Sequence, residues 1–242
     1  MSKHFKKYAL LLIAGLVICS MSCKKDSKEG GEITGFVIEA ENVIDANDDI
    51  ATVKAISGME DEMEVIATGK YKNGGFKLTL PSTLNSKYLL SISEDIEEGM
   101  VVSDPNAKVG AANWFVAYDK DGNEIGEFDC VYYDEETNTN ATSLFHFYAD
   151  RDLTITGTII YEHEWFGYTT EIYDCSFKKG WNVFYFIEEW DNDNTYYNLT
   201  LTTKEPSGIT FNWYYSDATC WKTPAANLRD KHLGKILTPA KR

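Results

Sequence analysis

The sequence predicts an all-β protein, and three observations carry that expectation. Runs of alternating apolar and polar residues recur about every 10 to 15 positions. Gly, Asn, Asp and Pro, the residues that turns require, bound these runs. The runs themselves are rich in the β-branched and aromatic side chains that suit a pleated surface.

In the first half the runs are 33–39, 50–57, 62–68, 75–80 and 88–92. Lys72-Asn73-Gly74-Gly75 supplies the positive-φ residues of a tight hairpin. The Phe76, Leu78, Leu80 face follows, and Pro81 ends that run because it has no N–H for a ladder. Residues 103–112 (SDPNAKVGAA) are small and polar and read as a boundary or a long loop. The second half has runs near 113–119, 124–133, 143–149, 153–161, 169–177, 181–187, 196–203 and 208–215. Asp121-Gly122-Asn123 joins the first two, and Ile209, Phe211, Trp213 and Tyr215 alternate against Thr210, Asn212 and Tyr214. Short strands with turn signals between them predict β-sandwiches. The expected organisation is a small sandwich at 33–102, an aromatic-rich sandwich at 103–217 and a basic tail at 218–242.

Ahead of this body, Lys3, Lys6 and Lys7 precede an apolar run from Ala9 to Ile18 and the small stretch Ser20-Met21-Ser22 before Cys23. That order has the basic, apolar and cleavage regions of a secretory signal, and the apolar run is shorter than the ~20 residues of a membrane span. With Cys23 at the cut it resembles a bacterial lipoprotein signal. The resemblance implies a signal peptide over 1–22, a lipid on the Cys23 thiol and residence at the outer membrane, on its periplasmic or cell-surface face. Cys19 is the rival, but it would put Ile18 where the peptidase takes a small side chain. One acyl chain holds a protein only reversibly, and the two or three that maturation supplies hold it stably. Residues 23–32 follow as a lipidated cysteine and a polar, flexible tether.

Two further resemblances bear on fold. ITGFV, ATVKA and NGGFKLTLP, within 33–92, resemble small transthyretin-like or carboxypeptidase-regulatory-like sandwiches, which belong with Ig-like architectures and mostly serve as spacers. YADRDLTITGT followed by FKKGWNVFYF resembles a group of β-sandwich lipoproteins of Gram-negative gut commensals, a likeness that implies location and fold.

From Ile33 to Asp217 there are 11 Lys/Arg and 34 Asp/Glu, a net charge of 11 − 34 = −23. Such a body lacks the basic footprint of a nucleic-acid partner. From Asp217 onward the balance reverses, with six Lys/Arg against Asp217 and Asp230. Cys130 and Cys175 both fall on the apolar face of their runs, a placement that fits a disulfide between them or two buried thiols. No Cys/His spacing points to zinc, so no metal and no cofactor is assigned.

Asp119 to Glu124 has the oxygen ligands of a calcium loop but not its spacing, and Asp-Gly between two strand-like runs favours a hairpin. Asp191-Asn192-Asp193-Asn194 reads as a solvated turn. His146, between Phe145 and Phe147, reads as a strand residue packed at the surface. His163 stands between Glu162 and Glu164, which a strand sends to the opposite face. With no nucleophile–base arrangement, no catalytic residue is assigned and the chain is read as non-enzymatic.

The remaining feature is aromatic density: 17 Phe, Trp and Tyr between Tyr161 and Tyr215. Phe184, Phe186, Phe211 and Trp213 are expected in the core. Trp165 and Trp190 sit in turn-like, polar surroundings, and Tyr196 and Tyr197 lie close in sequence to Trp190. Flat aromatic faces beside Asp, Asn and Glu suit sugar rings, and large amphipathic aromatics also suit protein interfaces. Three readings of these four residues stay open: a cover over the β core, a seat for polysaccharide, or an interface with another surface protein.

Overall fold

A computed structural model describes residues 35–217, apart from 59–62, 95, 113, 135–138, 164–166 and 192–195. Cys23, Trp165, most of the 191–194 turn and the 218–242 tail lie outside the described residues. The described residues are all-β, as the alternation predicts. In order the strands are β1 (Val37–Ala40), β2 (Thr52–Ser57), β3 (Glu64–Lys72), β4 (Gly75–Thr79), β5 (Leu90–Ser91), β6 (Met100–Val102), β7 (Lys108–Ala112) and β8 (Trp114–Tyr118). They continue as β9 (Glu124–Tyr133), β10 (Asn140–Ala149), β11 (Leu153–His163), β12 (Gly167–Phe177), β13 (Gly180–Trp190), β14 (Tyr196–Thr202) and β15 (Asn212–Asp217).

They form one large mixed sheet, running β1-β4-β3-β2-β8-β9-β10-β13-β14-β12-β11-β6. β15 adds to β9, and β7 joins β10 to β5. All pairings are antiparallel except β12 with β14. The first part of the sheet curls back on itself after β1. Ile44 N–H donates to the Trp213 carbonyl (2.8 Å), and its own carbonyl accepts from Tyr215 N–H (2.9 Å). The β3–β4 hairpin has the predicted turn, with φ of 54° at Asn73 and 76° at Gly74. Asp119 to Asn123 closes the β8–β9 hairpin, the Asp119 carboxylate accepting from the backbone of Asp121 and Asn123.

Two apolar clusters hold the fold. The first gathers Ile38, Leu78, Phe76, Phe115, Phe128, Trp181, Trp213 and Tyr215. The second gathers Val109, Phe147, Leu153, Phe177, Phe184, Phe186, Leu199 and Leu201. β10 and β13 serve both. On β13, Trp181 and Tyr185 face the first cluster while Phe184 and Phe186 face the second. A strand covered on both faces needs apolar residues at successive positions, which explains the dense runs FHFYA and VFYFI. Phe184, Phe186, Phe211 and Trp213 are buried as predicted.

Two expectations are corrected. Residues 103–112 are not a loop throughout, because 108–112 form β7 on β10. Small residues fit there because Gly110 lies against the Tyr88 carbonyl, which would stand 2.6 Å from any Cβ at that position. His146 is not at the surface. It is 1% exposed and held edge-on between the Phe36 and Phe115 rings, because its strand is buried on both sides. Strand pairing also crosses the boundary expected after residue 102: β8 pairs with β2, and the first cluster draws on both halves of the chain.

Candidate functional site

The inner face of β11, β12, β14 and β13 changes character along its length. Register aligns four rows across these strands. At one end lies the row Ile155, Cys175, then the row Gly157, Tyr173, Leu201, Phe186. Next comes Ile159, Glu171, Leu199, Glu188, and last Tyr161, Thr169, Tyr197, Trp190. Apolar residues thus give way to carboxylates, phenols and an indole within about four strand positions.

Strand alternation makes this face. On β12, Glu171, Tyr173, Cys175 and Phe177 share it, and on β13 Phe184, Phe186, Glu188 and Trp190 do. A carboxylate within an apolar stripe must find a hydrogen-bond donor. Each one here takes a tyrosine. Tyr173 donates to Glu171 (2.8 Å), Tyr197 to Glu188 (2.5 Å) and Tyr161 to Glu97 (2.8 Å).

Glu97 comes from residues 96–102, a segment that crosses the rim of this face. β6 pins it to β11, and the Ser103 N–H to Thr154 carbonyl bond (3.0 Å) extends that pairing. Its closest approach is at Gly157, where a Cβ would stand 2.0 Å from the Gly99 carbonyl oxygen. Only glycine admits the segment there.

Beneath this segment lies a cavity of about 50 Å³. Ile92, Met100, Ile155, Phe184 and Leu199 make it apolar, and Glu97, Tyr161, Glu171 and Tyr173 form its polar side. Small-molecule pockets run to ~300–1,000 Å³, so this one holds a single group of a ligand rather than a whole one.

The environment sets the charge states. Burial pushes the Glu188 carboxyl above its ordinary range, against the hydrogen bond from Tyr197. Burial first, then the neighbouring carboxylates, raises Tyr173 and Tyr197. Burial likewise raises Tyr161, together with its bond to Glu97. These phenols therefore keep their protons and act as donors to the carboxylates.

Of the four aromatics singled out in the sequence, two meet. Trp190 and Tyr197 are cross-strand partners on this face. Tyr196 opens β14 in register with Tyr168. Trp165 lies outside the described residues. Cys130 and Cys175 are buried in different clusters, with β10, β13 and β14 between their strands, so no disulfide joins them. The Cys175 thiol donates to the Leu201 carbonyl (3.2 Å), and burial pushes it up to about 12, which makes it a poor nucleophile. Sequence reasoning missed Glu97, Tyr161, Glu171, Tyr173 and Glu188. The legible signal was a glutamate inside an apolar stripe, Glu171 before Tyr173-x-Cys175-x-Phe177 and Glu188 after Phe184-x-Phe186. Among the described residues no group of three or more His, Cys, Asp or Glu side chains is placed to hold a metal ion.

No protein-family model matches this chain, and no curated protein or solved structure matches it.

Proposed function

We propose that this is a lipid-anchored, non-catalytic binding protein whose ligand is a glycan. The anchor is Cys23 and the membrane is the outer membrane, on its periplasmic or cell-surface face. The single observation behind the glycan is the last two rows of the inner face. Trp190, Tyr197 and Tyr161 offer flat ring surfaces there, and Glu171, Glu188 and Thr169 offer hydroxyl partners beside them. A sugar ring has both an apolar C–H face and a rim of hydroxyls, and this surface answers both. The cavity accepts one substituent while the ring stays outside against Trp190 and Tyr197. The same proposal reads the chain as two sandwich-like units of Ig-like or transthyretin-like character, one around each apolar cluster, with β10 and β13 shared between them.

Migration of the intact protein through native gels cast with individual polysaccharides tests the reading. Retardation by one glycan class, lost in Trp190→Ala without a fall in Tm, is the expected result. Unchanged retardation in that variant would remove the site. Mobility that no polysaccharide alters would shift the weight to the second reading, a structural component of a surface protein complex. That reading draws its support from the exposed apolar residues Val101, Ile160, Tyr168 and Ile172 on the outer face of the same strands.

A further inference from the structure

The hydrogen-bond inventory of the site narrows the glycan. A phenol has one proton to give, and Tyr161, Tyr173 and Tyr197 have each given theirs to a carboxylate. An ionised carboxylate gives none. The three phenol–carboxylate pairs therefore meet a ligand with oxygen lone pairs and ring faces. These are the groups that accept hydrogen bonds and that attract positive charge.

Charge points the same way. Glu97 and Glu188 take part in none of the ion pairs among the described residues, whose lysines and arginine serve Glu39, Glu64, Asp104, Asp150, Asp152 and Asp174 instead. Glu171 is 5% exposed and lies in the same row as Glu188, with Leu199 between them. Size adds a third constraint. A cavity of about 50 Å³ admits an amino group and its carbon, not a bulky acyl substituent together with a ring.

We infer that the site is selective for amino sugars with a free, protonated amine: the ammonium enters the cavity between Glu97 and Glu171, and the sugar ring lies outside it toward Trp190 and Tyr197, with Glu188 beside them. This rests on the glycan reading above. It requires that N-acetylated sugars, which have lost the charge and gained bulk, bind less well. It requires too that uronic-acid glycans be refused, since their carboxylates would face Glu97 and Glu171.

Calorimetric titration of the intact protein at physiological ionic strength tests it. The probes are a glucosamine tetramer, the matching N-acetylglucosamine tetramer, a neutral glucose tetramer, a galacturonate tetramer and tetralysine. The expected result is at least tenfold tighter binding of the glucosamine tetramer than of any other probe. Glu171→Gln, which keeps an acceptor for Tyr173, should erase most of that margin with Tm held. Equal or better binding of the acetylated or neutral tetramer overturns the amine selectivity and leaves the glycan reading standing. Equal binding of tetralysine shows adhesion through overall charge and overturns it as well. Binding of no sugar overturns both. If Glu171→Gln unfolds the protein, Tyr173→Phe, which removes the phenol and keeps the ring, must alter the ratio between the amino and acetylated tetramers, and an unchanged ratio counts against the inference.

Discussion

His146 offers the sharpest test of how this fold is held together. Its ring is wholly enclosed on β10, with Phe36 at 5.6 Å and Phe115 at 5.5 Å, both edge-on. Neither Nδ1 nor Nε2 has a hydrogen-bond partner. Each buried polar group left unmade costs about 1–3 kcal/mol. Replacing the imidazole by Phe removes that penalty and retains the edge-to-face contacts, but the larger ring strains a close-packed site by about 1–3 kcal/mol. His146→Leu brackets the second effect, since it removes the polar atoms without the larger ring.

The pH dependence separates this mechanism from simple repacking. Burial lowers the native pKa of His146 to about 3. The unfolded imidazole titrates near ~6.5. The native state therefore binds fewer protons, and the stability present above pH ~6.5 is lost as pH falls toward 3. At pH 5 the loss is about 1.5 pH units at ~1.4 kcal/mol each, or roughly 2 kcal/mol. Urea unfolding of wild type and both variants at pH 7 and pH 5 reads it directly. Carboxylate titrations are common to all three and cancel in the difference. Each variant should gain roughly 2 kcal/mol on wild type between pH 7 and pH 5, whatever its standing at pH 7. A difference that does not change with pH in both variants would refute the buried neutral histidine.

Other expectations follow from single contacts. Gly157→Ala should displace residues 96–102, because its Cβ would meet the Gly99 carbonyl. Hydrogen exchange should then quicken over Met100–Val102 while β13 stays protected. Gly74→Ala forces a side chain into the left-handed region at φ 76° and should cost about 1 kcal/mol in urea unfolding, whereas Gly74→Asn should cost less. Peptide mapping of the non-reduced protein should find no Cys130–Cys175 linkage, and the Cys175 thiol should resist alkylation until the protein unfolds. Trp181→Phe should destabilise by about 1–3 kcal/mol, since the indole N–H donates to the Pro81 carbonyl (2.7 Å) and that acceptor would be left without it.

How much of this was legible varied with the physics of each segment. β9 and β12 show a clear period of two, and the sequence placed them within two residues. The Asn73-Gly74 and Asp121-Gly122 turns were equally plain because positive φ restricts the residue types that can occupy them. β7 was missed because its fit depends on small side chains beneath Tyr88, and such residues carry little strand signal. His146 was misplaced because alternation assigns one wet face to a strand, and β10 has none. The site was half visible. Polar surroundings single out Trp190, and Tyr197 lies close to it in sequence, but the carboxylates that join them come from β12, β13 and the crossing segment. Their convergence depends on the parallel β12–β14 pairing, which strand patterns alone do not specify.

The proposed seat of the ligand is the polar, aromatic end of the inner face. Hydrogen–deuterium exchange of the intact protein, with and without saturating oligosaccharide of the class retarded in native gels, tests it most directly. The account predicts added protection at β12 around Thr169–Tyr173, at β14 around Tyr197–Leu199 and across residues 96–102. Protection confined to the strands of the first cluster, or none on these three segments, would contradict it.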